Sequence, residues 1–385
     1  MSDMFALSNQ QERKEFLAKT VEAFAERAHQ HDAEGSFPHE NFTTLKSIRY
    51  PGLSVPKEYG GKGISLTELL ELQEIIAKAD GSTALAIGWH MGIIMTLGEK
   101  RTWDDEVYRE VVSDVIENGA LLNNAASELA TGSPTRGGKP ETTAVKVDGG
   151  YEITGRKTFT TLAPTLDYFV VSAAIEGSDE VGNFLIRRDL DGVAVKNTWD
   201  TLGMRATGSD DLILNRVIVR DKDYVETLTP GFKDAAGWLL HIPVTYLGIA
   251  TAALSYSASA ANNHSPNSID GTIADLPNVQ QKIGEAELLR VRNRHFLYAV
   301  SKKWDESSNE ERNNMKLELG AVKHSVVNDA QTIVDLSMRV VGARSLATGN
   351  PLGRYYRDVR AGLHNPPMDD MTITQLAKAT FERNP

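Results

Sequence analysis

The chain has no cysteine among its 385 residues. That excludes disulfides, thiolate zinc sites, a thiol nucleophile and a CxxC redox pair. It fits a reducing compartment, and a cytoplasmic location is expected. Basic charge is also short. Lys and Arg number 41 against 52 Asp and Glu, a net charge of −11. Nucleic-acid binders carry the opposite balance, so no such partner is expected, though local basic pockets for phosphates are still open to the chain. The opening stretch, Met1 to Phe16, has no basic segment leading into an apolar run, so no secretory signal is expected. The longest strongly apolar stretch, Ala84 to Met95, is too short to span a bilayer and contains His90. No P-loop, HExxH, GxSxG elbow, EF-hand loop, internal repeat or low-complexity segment occurs. The nine histidines are scattered, and only His29 and His31 lie close together, so no metal site is expected.

What is present is an ordinary globular composition, 41% apolar and 24% charged, with length enough for two or three domains. Phe16, Leu17, Val21 and Phe24 recur at helical spacing within a helix predicted over 10–30. Shorter helical patterns follow at Phe42 to Ile48 and Ser65 to Ala79, with Ser65 or Thr67 as N-cap. Asp80 to Gly98 is apolar on most faces and reads as a buried helix. From about Gly119 the period changes to alternation. Val145 to Val147 and Tyr151 to Ile153 flank an Asp148-Gly149-Gly150 turn, a hairpin signal. Further strands are predicted at 168–174, 183–186, 193–195 and 212–219. Five or six strands without interleaved helices argue against a Rossmann domain. After Thr229 the pattern is helical again. Leu239 to Ala261 is rich in small residues, which suits close helix packing. Long helices are predicted at 279–304 and 315–341, with Pro277 at a helix start, a polar connection over 302–314, and a short amphipathic helix after Pro366-Pro367. The expected class is α+β in three parts: a helical domain over 1–120, a small β-sheet or barrel over 121–225, and a helical domain over 226–385.

Two segments stand out chemically. Ser127 to Ser133, with Gly155 to Thr161, places hydroxyls, amides and one aromatic ring on turns beside strands. That surface suits an anion and a flat ring, and it equally suits ordinary turns. The Gly60-Gly61-Lys62-Gly63 cluster lacks the strand–turn–helix context of a dinucleotide fingerprint and reads as a plain glycine loop. In Arg357 to Pro367, a Pro-Pro pair follows His364 closely. A rigidly held imidazole suits general acid–base work, and the same pattern suits a capping loop with an incidental histidine.

Taken together, these residues resemble the acyl-CoA dehydrogenase superfamily over essentially the whole chain. Pro56 to Gly61 resembles its N-terminal PxxxGG loop. Ser127-Glu128 to Gly132-Ser133 resembles the TEPGAGS flavin loop. Gly155 to Thr161 resembles the GxKxWIT segment, and Trp199 with Leu202 to Ser209 resembles the W…LGMRxTxS stretch. The resemblance implies a C-terminal four-helix bundle, FAD between β-domain and bundle, and a homotetramer built as a dimer of dimers. It places Ser127, Gly132, Ser133, Phe159, Thr160 and Thr161 at the flavin, with Phe159 standing for the usual tryptophan and Thr161 near the N5 edge. It places Arg339 and Gly342 near a neighbouring subunit's flavin.

The departures bear on the reaction. The position of the family's catalytic glutamate, eight residues past the Arg-Asp pair, is Pro366. A second branch carries its glutamate on the first long bundle helix, which aligns near Trp238 to His241. The arginine that contacts FAD phosphate from a neighbour is missing from the aligned stretch, Pro266 to Gly271. His364 is the best substitute base and His241 the second candidate. Trp89, His90, Trp238, Tyr246 and Asn365 are expected to line the substrate pocket. Glu128 and Arg205 are expected to form a buried ion pair under the flavin loop. The leading expectation is hydride transfer from the Cα–Cβ bond of an acyl thioester or similar substrate to FAD, with an electron-transfer flavoprotein as partner. The histidine before the Pro-Pro pair also resembles the superfamily's two-component monooxygenases. These use reduced flavin, FAD or FMN, from a flavin reductase, with oxygen and a small hydrophobic substrate. A non-catalytic flavin-binding homologue is the third reading.

Overall fold

A computed structural model describes residues 3–131, 138–229 and 235–384. Among them, six helices come first: α1 (Gln10–Thr20), α2 (Glu22–Glu34), α3 (His39–Ser47), α4 (Leu66–Ala79), α5 (Gly81–Lys100) and α6 (Asp105–Asn118). A sheet follows, made of β1 (Leu122–Ala125), β2 (Thr143–Val147), β3 (Gly150–Thr160), β4 (Tyr168–Ile175), β5 (Val181–Arg187), β6 (Val193–Lys196), β7 (Asp210–Arg220) and β8 (Tyr224–Leu228). The chain returns to helix in α7 (His241–Asn262), α8 (Pro277–Glu306), α9 (Asn309–Asn313), α10 (Lys316–Val341), α11 (Pro351–Ala361) and α12 (Asp369–Arg383). This is the expected α+β order of helices, sheet and helices.

Details differ from the sequence expectation for local reasons. The helix predicted over 10–30 is interrupted at Val21, whose N–H still donates to Leu17 O at 3.0 Å. Eight strands form instead of five or six. The two extra ones are short, and β1 (Leu-Asn-Asn-Ala) has no β-forming pattern of its own. It is a strand because it pairs in parallel with β4. The polar connection over 302–314 contains the end of α8 and all of α9, which starts in a Ser308–Glu311 capping box. The longest apolar helix is not in the first domain. Gly237–Asn262, which is α7 with its leading turn, is long and apolar enough to cross a membrane, with mean hydropathy 1.4 over its most apolar stretch of 18 residues. Its most apolar window is 78% buried inside the protein, as expected for a core helix.

The sheet order is β6-β7-β3-β2-β4-β5-β8, with β1 pairing to β4 off that path. The pairings are antiparallel except β1–β4 and β2–β4. Two register shifts interrupt β3–β7, between Ile153 and Gly155 and between Lys157 and Thr160. The second leaves Phe159 in the left-handed region at φ 55°. A bulge there re-aims side chains at the strand end.

Helix starts are tied down by named carboxylates and hydroxyls. Ser65 caps α4 by accepting from Glu68 N–H, as its sequence predicts. Asp305 of α8 accepts from Leu66 N–H and Thr67 N–H (2.8 and 2.9 Å), so the far end of the chain satisfies the same first turn. Asp80 caps α5 through Ser82 N–H and Thr83 N–H. α7 packs against α4, α5, α8, α10 and α11. Small residues permit this: a Cβ on Gly248 would sit 2.5 Å from Ala77 Cβ, and one on Gly81 would sit 2.5 Å from Ile249 Cδ1.

Candidate active site

The chemistry-bearing residues form two groups, one on the sheet and one on the helices. On the sheet, Lys157 and Glu128 are buried and paired at 2.7 Å. Glu128 also accepts from Thr142 Oγ1 (2.6 Å), Glu141 N–H (2.6 Å), Thr142 N–H (3.0 Å) and Thr131 Oγ1 (2.9 Å). Burial would raise this carboxyl, but the Lys157 ammonium and the donors of Thr142 and Glu141 outweigh it and hold it at about 2. The pair is therefore structural, and it fixes the segment that begins at Ser127. Thr158 N–H donates to Ser127 O at 2.9 Å, tying that segment to β3. The expected Glu128–Arg205 pair does not form. Arg205 turns instead to Asp32 O (2.7 Å), Thr201 O (2.9 Å) and Asp200 (3.2 Å). The nearer ammonium of Lys157 takes Glu128.

At the end of β3, Phe159 is 63% exposed and meets the Trp199 ring edge-on, centroids 5.9 Å apart. Thr158 and Thr160, on either side of it, are buried with hydroxyls that have no partner. Thr161 begins a hydroxyl chain: Thr161 Oγ1 to Ser209 Oγ (2.8 Å), Ser209 Oγ to Thr207 Oγ1 (2.9 Å). Thr161 O accepts from Asn123 Nδ2 of β1 at 2.8 Å. An exposed flat ring flanked by orphaned hydroxyls, with a further chain of hydroxyls at its edge, fits a flavin ring and its polar rim. Gly132 and Ser133 lie outside the described residues.

On the helices, Trp89 of α5, Trp238 and His241 form an aromatic corner. Trp238 and His241 are stacked at 5.7 Å, and Trp89 meets them edge-on at 5.6 and 4.9 Å. α5 glycines make the room. A Cβ on Gly88 would lie 2.4 Å from His241 Nδ1, and one on Gly92 would lie 2.3 Å from Trp238 Cε3. His241 is fully buried, and neither ring nitrogen has a partner. Burial lowers its pKa to about 3, so it is a neutral hydrogen-bonding group rather than a proton store near pH 7. Tyr246 of α7, also fully buried, donates to Asn365 Oδ1 at 2.6 Å, which anchors the α11–α12 loop to the bundle. Burial raises the Tyr246 hydroxyl, so it stays protonated. His364, next to Asn365, is exposed.

His90 belongs elsewhere. Leu122 N–H donates to its Nδ1 at 3.0 Å, and its Nε2 faces Pro51 O at 3.3 Å. Both nitrogens are committed, and burial lowers it to about 4. It is a neutral strut joining α5 to β1, not a pocket group. Arg339 is exposed and paired with Asp335 (2.7 Å), and Gly342 ends α10 at φ 69°.

Sequence reasoning used Asp358 only as a marker for counting, and missed its role. Asp358 is buried and accepts from Met204 N–H at 2.6 Å, joining α11 to the turn before β7. Burial raises it to about 7, against Arg354 and the Met204 N–H, which lower it. The signal available was the pairing of two motifs, Arg357-Asp358 and Leu202-Gly203-Met204, each flagged separately.

Comparison with known proteins finds similarity along most of the chain. Family models described as the acyl-CoA dehydrogenase N-terminal, middle and C-terminal domains match residues 9–102, 123–217 and 240–365. A putative acyl-CoA dehydrogenase, YdbM, from Bacillus subtilis (strain 168) is 48% identical over 98% of this chain and 99% of its own. A dibenzothiophene monooxygenase from Mycolicibacterium goodii is 26% identical over 87% of this chain and 86% of its own. The crystal structure of KijD3 with FMN and a dTDP-linked amino sugar superposes with a TM-score of 0.85, at 24% identity, over 98% of this chain and 95% of that one.

Proposed function

The chain belongs to the acyl-CoA dehydrogenase family, and from that premise we propose that it is a flavin-dependent oxidoreductase whose proton-handling side chain is an imidazole, His364. The observation that carries this reading is the residue set at the helical group. Where the family resemblance puts a glutamate, this chain has Pro366 in one place and Trp238 to His241 in the other. A proline has no proton to exchange. His241 is buried and neutral. His364 is exposed on a loop that the Tyr246–Asn365 hydrogen bond holds against the bundle. An imidazole there is reachable from outside the bundle and can take or give a proton through a ring nitrogen.

Ser127, Phe159, Thr160 and Thr161 would hold the ring, with Gly132 and Ser133 proposed at its phosphates. A bound flavin supplies two-electron chemistry, accepting hydride or, when reduced, passing electrons to oxygen. The protein's own part is to seat the ring against Phe159, keep the Thr161 hydroxyl at its edge, and present substrate from the Trp89–Trp238–Tyr246 side. The missing carboxylate favours oxygenation of a small, largely apolar substrate with reduced flavin from a separate reductase. The aromatic corner, lined by Trp89, Trp238 and neutral His241, suits a flat uncharged ring. A second reading is α,β-dehydrogenation of an acyl thioester with FAD and an electron-transfer flavoprotein. The full-length similarity to the putative acyl-CoA dehydrogenase supports it. Exposed Leu288 and Val291 on α8 and Leu346 beyond α10 support a homo-oligomer, proposed as a tetramer in the cytoplasm.

The test begins with the absorption spectrum of the purified protein and the identity of the released flavin. Stoichiometric FAD bleached anaerobically by acyl-CoA establishes dehydrogenation. A nearly colourless protein that binds reduced flavin better than oxidised flavin, and consumes oxygen only with added reductase, establishes the oxygenase. His364→Ala should cut turnover by about 100-fold or more with flavin binding intact. Undiminished turnover would remove His364 from the mechanism.

A further inference from the structure

Met204 is a non-glycine residue held in the left-handed region at φ 54°. Such a conformation persists only where its surroundings impose it. Here every polar group of the residue is engaged. Its N–H donates to Asp358 Oδ1 (2.6 Å). Its carbonyl accepts from Trp199 Nε1 (2.8 Å) and Thr207 Oγ1 (3.1 Å). Its thioether accepts from Ser82 Oγ (3.8 Å). From the carbonyl two branches lead to the flavin side. One runs through Trp199 to the Phe159 ring; the other runs through Thr207 and Ser209 to the Thr161 hydroxyl.

α11 grips this turn through consecutive residues. Arg357 Nη1 donates to Leu202 O at 2.9 Å. A Cβ on Gly203 would lie 2.3 Å from Arg357 O. Asp358 then takes the Met204 N–H. The same helix runs on into the loop that carries His364 and Asn365.

We propose that Asp358 is the positioning residue of the flavin seat: by holding the Met204 peptide, it fixes both the Trp199–Phe159 branch and the Thr207–Ser209–Thr161 branch. This rests on the flavin reading above and adds to it. Asp358 touches neither ring nor substrate. It sets the seat from the helix that ends in the substrate-side loop, so the two halves of the site share one register. The charged groups around it are Arg354 on its own helix, Asp80 at the start of α5, and Asp32 of α2, which is itself paired with Arg357. A carboxylate in that position also docks α11, so the test separates docking from positioning.

Full-length wild type, Asp358→Ala, Asp358→Asn, Asp32→Asn and Thr207→Val are titrated with FMN and with FAD, followed by flavin fluorescence and absorption, with melting temperatures alongside. Asp32→Asn weakens the α2–α11 pair and leaves the Met204 peptide untouched. Asp358→Asn keeps an Oδ1 acceptor. The expected result is a Kd for flavin raised at least tenfold and a shifted absorption band in Asp358→Ala. Asp358→Asn should stay within threefold of wild type, and Asp32→Asn should lose thermal stability without change in Kd. Thr207→Val, which cuts the hydroxyl branch alone, should weaken binding to a lesser degree. Wild-type binding and spectrum in Asp358→Ala, or an equal loss in Asp32→Asn, overturns the proposal. If Asp358→Ala does not fold, an unchanged Kd and spectrum in Thr207→Val overturns it. A wild-type protein that binds neither flavin overturns the flavin reading itself, a result distinct from normal binding that is indifferent to Asp358.

Discussion

Single buried groups in this protein pull its pH dependence in opposite directions. His241 is held at about 3 and His90 at about 4, both below the ordinary histidine value, chiefly by burial. The unfolded chain binds these protons first as pH falls, so the stability the neutral rings allow at pH 7 is lost from about pH 6.5 downward. Each group contributes a slope of about 1.4 kcal/mol per pH unit in that window. Urea unfolding of His241→Phe should therefore show a shallower loss between pH 6.5 and 4.5 than wild type. Asp358 has the opposite sign. Its folded value, about 7, lies above the unfolded one, so its contribution is present at low pH and is lost as pH rises from about 4 to 7. Asp358→Asn should gain stability relative to wild type across that rise. Equal slopes in the two proteins would show that Arg354 keeps the carboxylate ionised throughout.

Elements position these groups by close approach. β3 carries the buried Lys157 and, two residues later, the exposed Phe159, because a register shift separates them. Lys157→Met leaves Glu128 buried without its cation, which costs about 3–5 kcal/mol. Chemical denaturation should show that loss, and the double variant with Glu128→Leu should recover most of it, since replacing a buried pair by apolar groups is far cheaper than breaking one. On α5, Gly88 has no space for a methyl group: the added Cβ would fall 2.4 Å from His241 and 2.5 Å from Gln73. Gly88→Ala should displace the imidazole and weaken substrate binding with little change in flavin affinity. Substrate titration followed by tryptophan fluorescence checks it, because Trp89 and Trp238 both pack on that ring.

At the scale of the whole molecule, the site is an agreement among three regions. α11 holds a turn of the β-domain through Met204, and its Arg357 pairs with Asp32 of α2. Gly203→Ala drives a methyl group into Arg357 O and should separate these contacts without touching the core of any one region. Thermal unfolding is then expected to broaden or split, while the far-ultraviolet dichroism at 20 °C stays close to wild type. A single sharp transition at the wild-type temperature would show that the contact carries no cooperativity.

Periodicity, caps and turn residues were enough to read the helix–sheet–helix order, the hairpin at Gly149 and the start of α4 at Ser65, because each depends on neighbours a few residues away. The motif stretches around Ser127, Phe159 and Met204 were legible for the same reason: their residue types are local. Which cation serves Glu128, what satisfies His90, that β1 is a strand at all, and that Asp358 holds Met204 were not legible. Each joins residues about 30 to 150 positions apart, and only packing decides which of several available partners arrives within hydrogen-bond reach. Two buried histidines, one on α5 and one on α7, show this most sharply. Sequence placed both His90 and His241 near substrate. Tertiary structure gives one two partners and the other none, and an unpartnered buried imidazole is what a binding pocket can use.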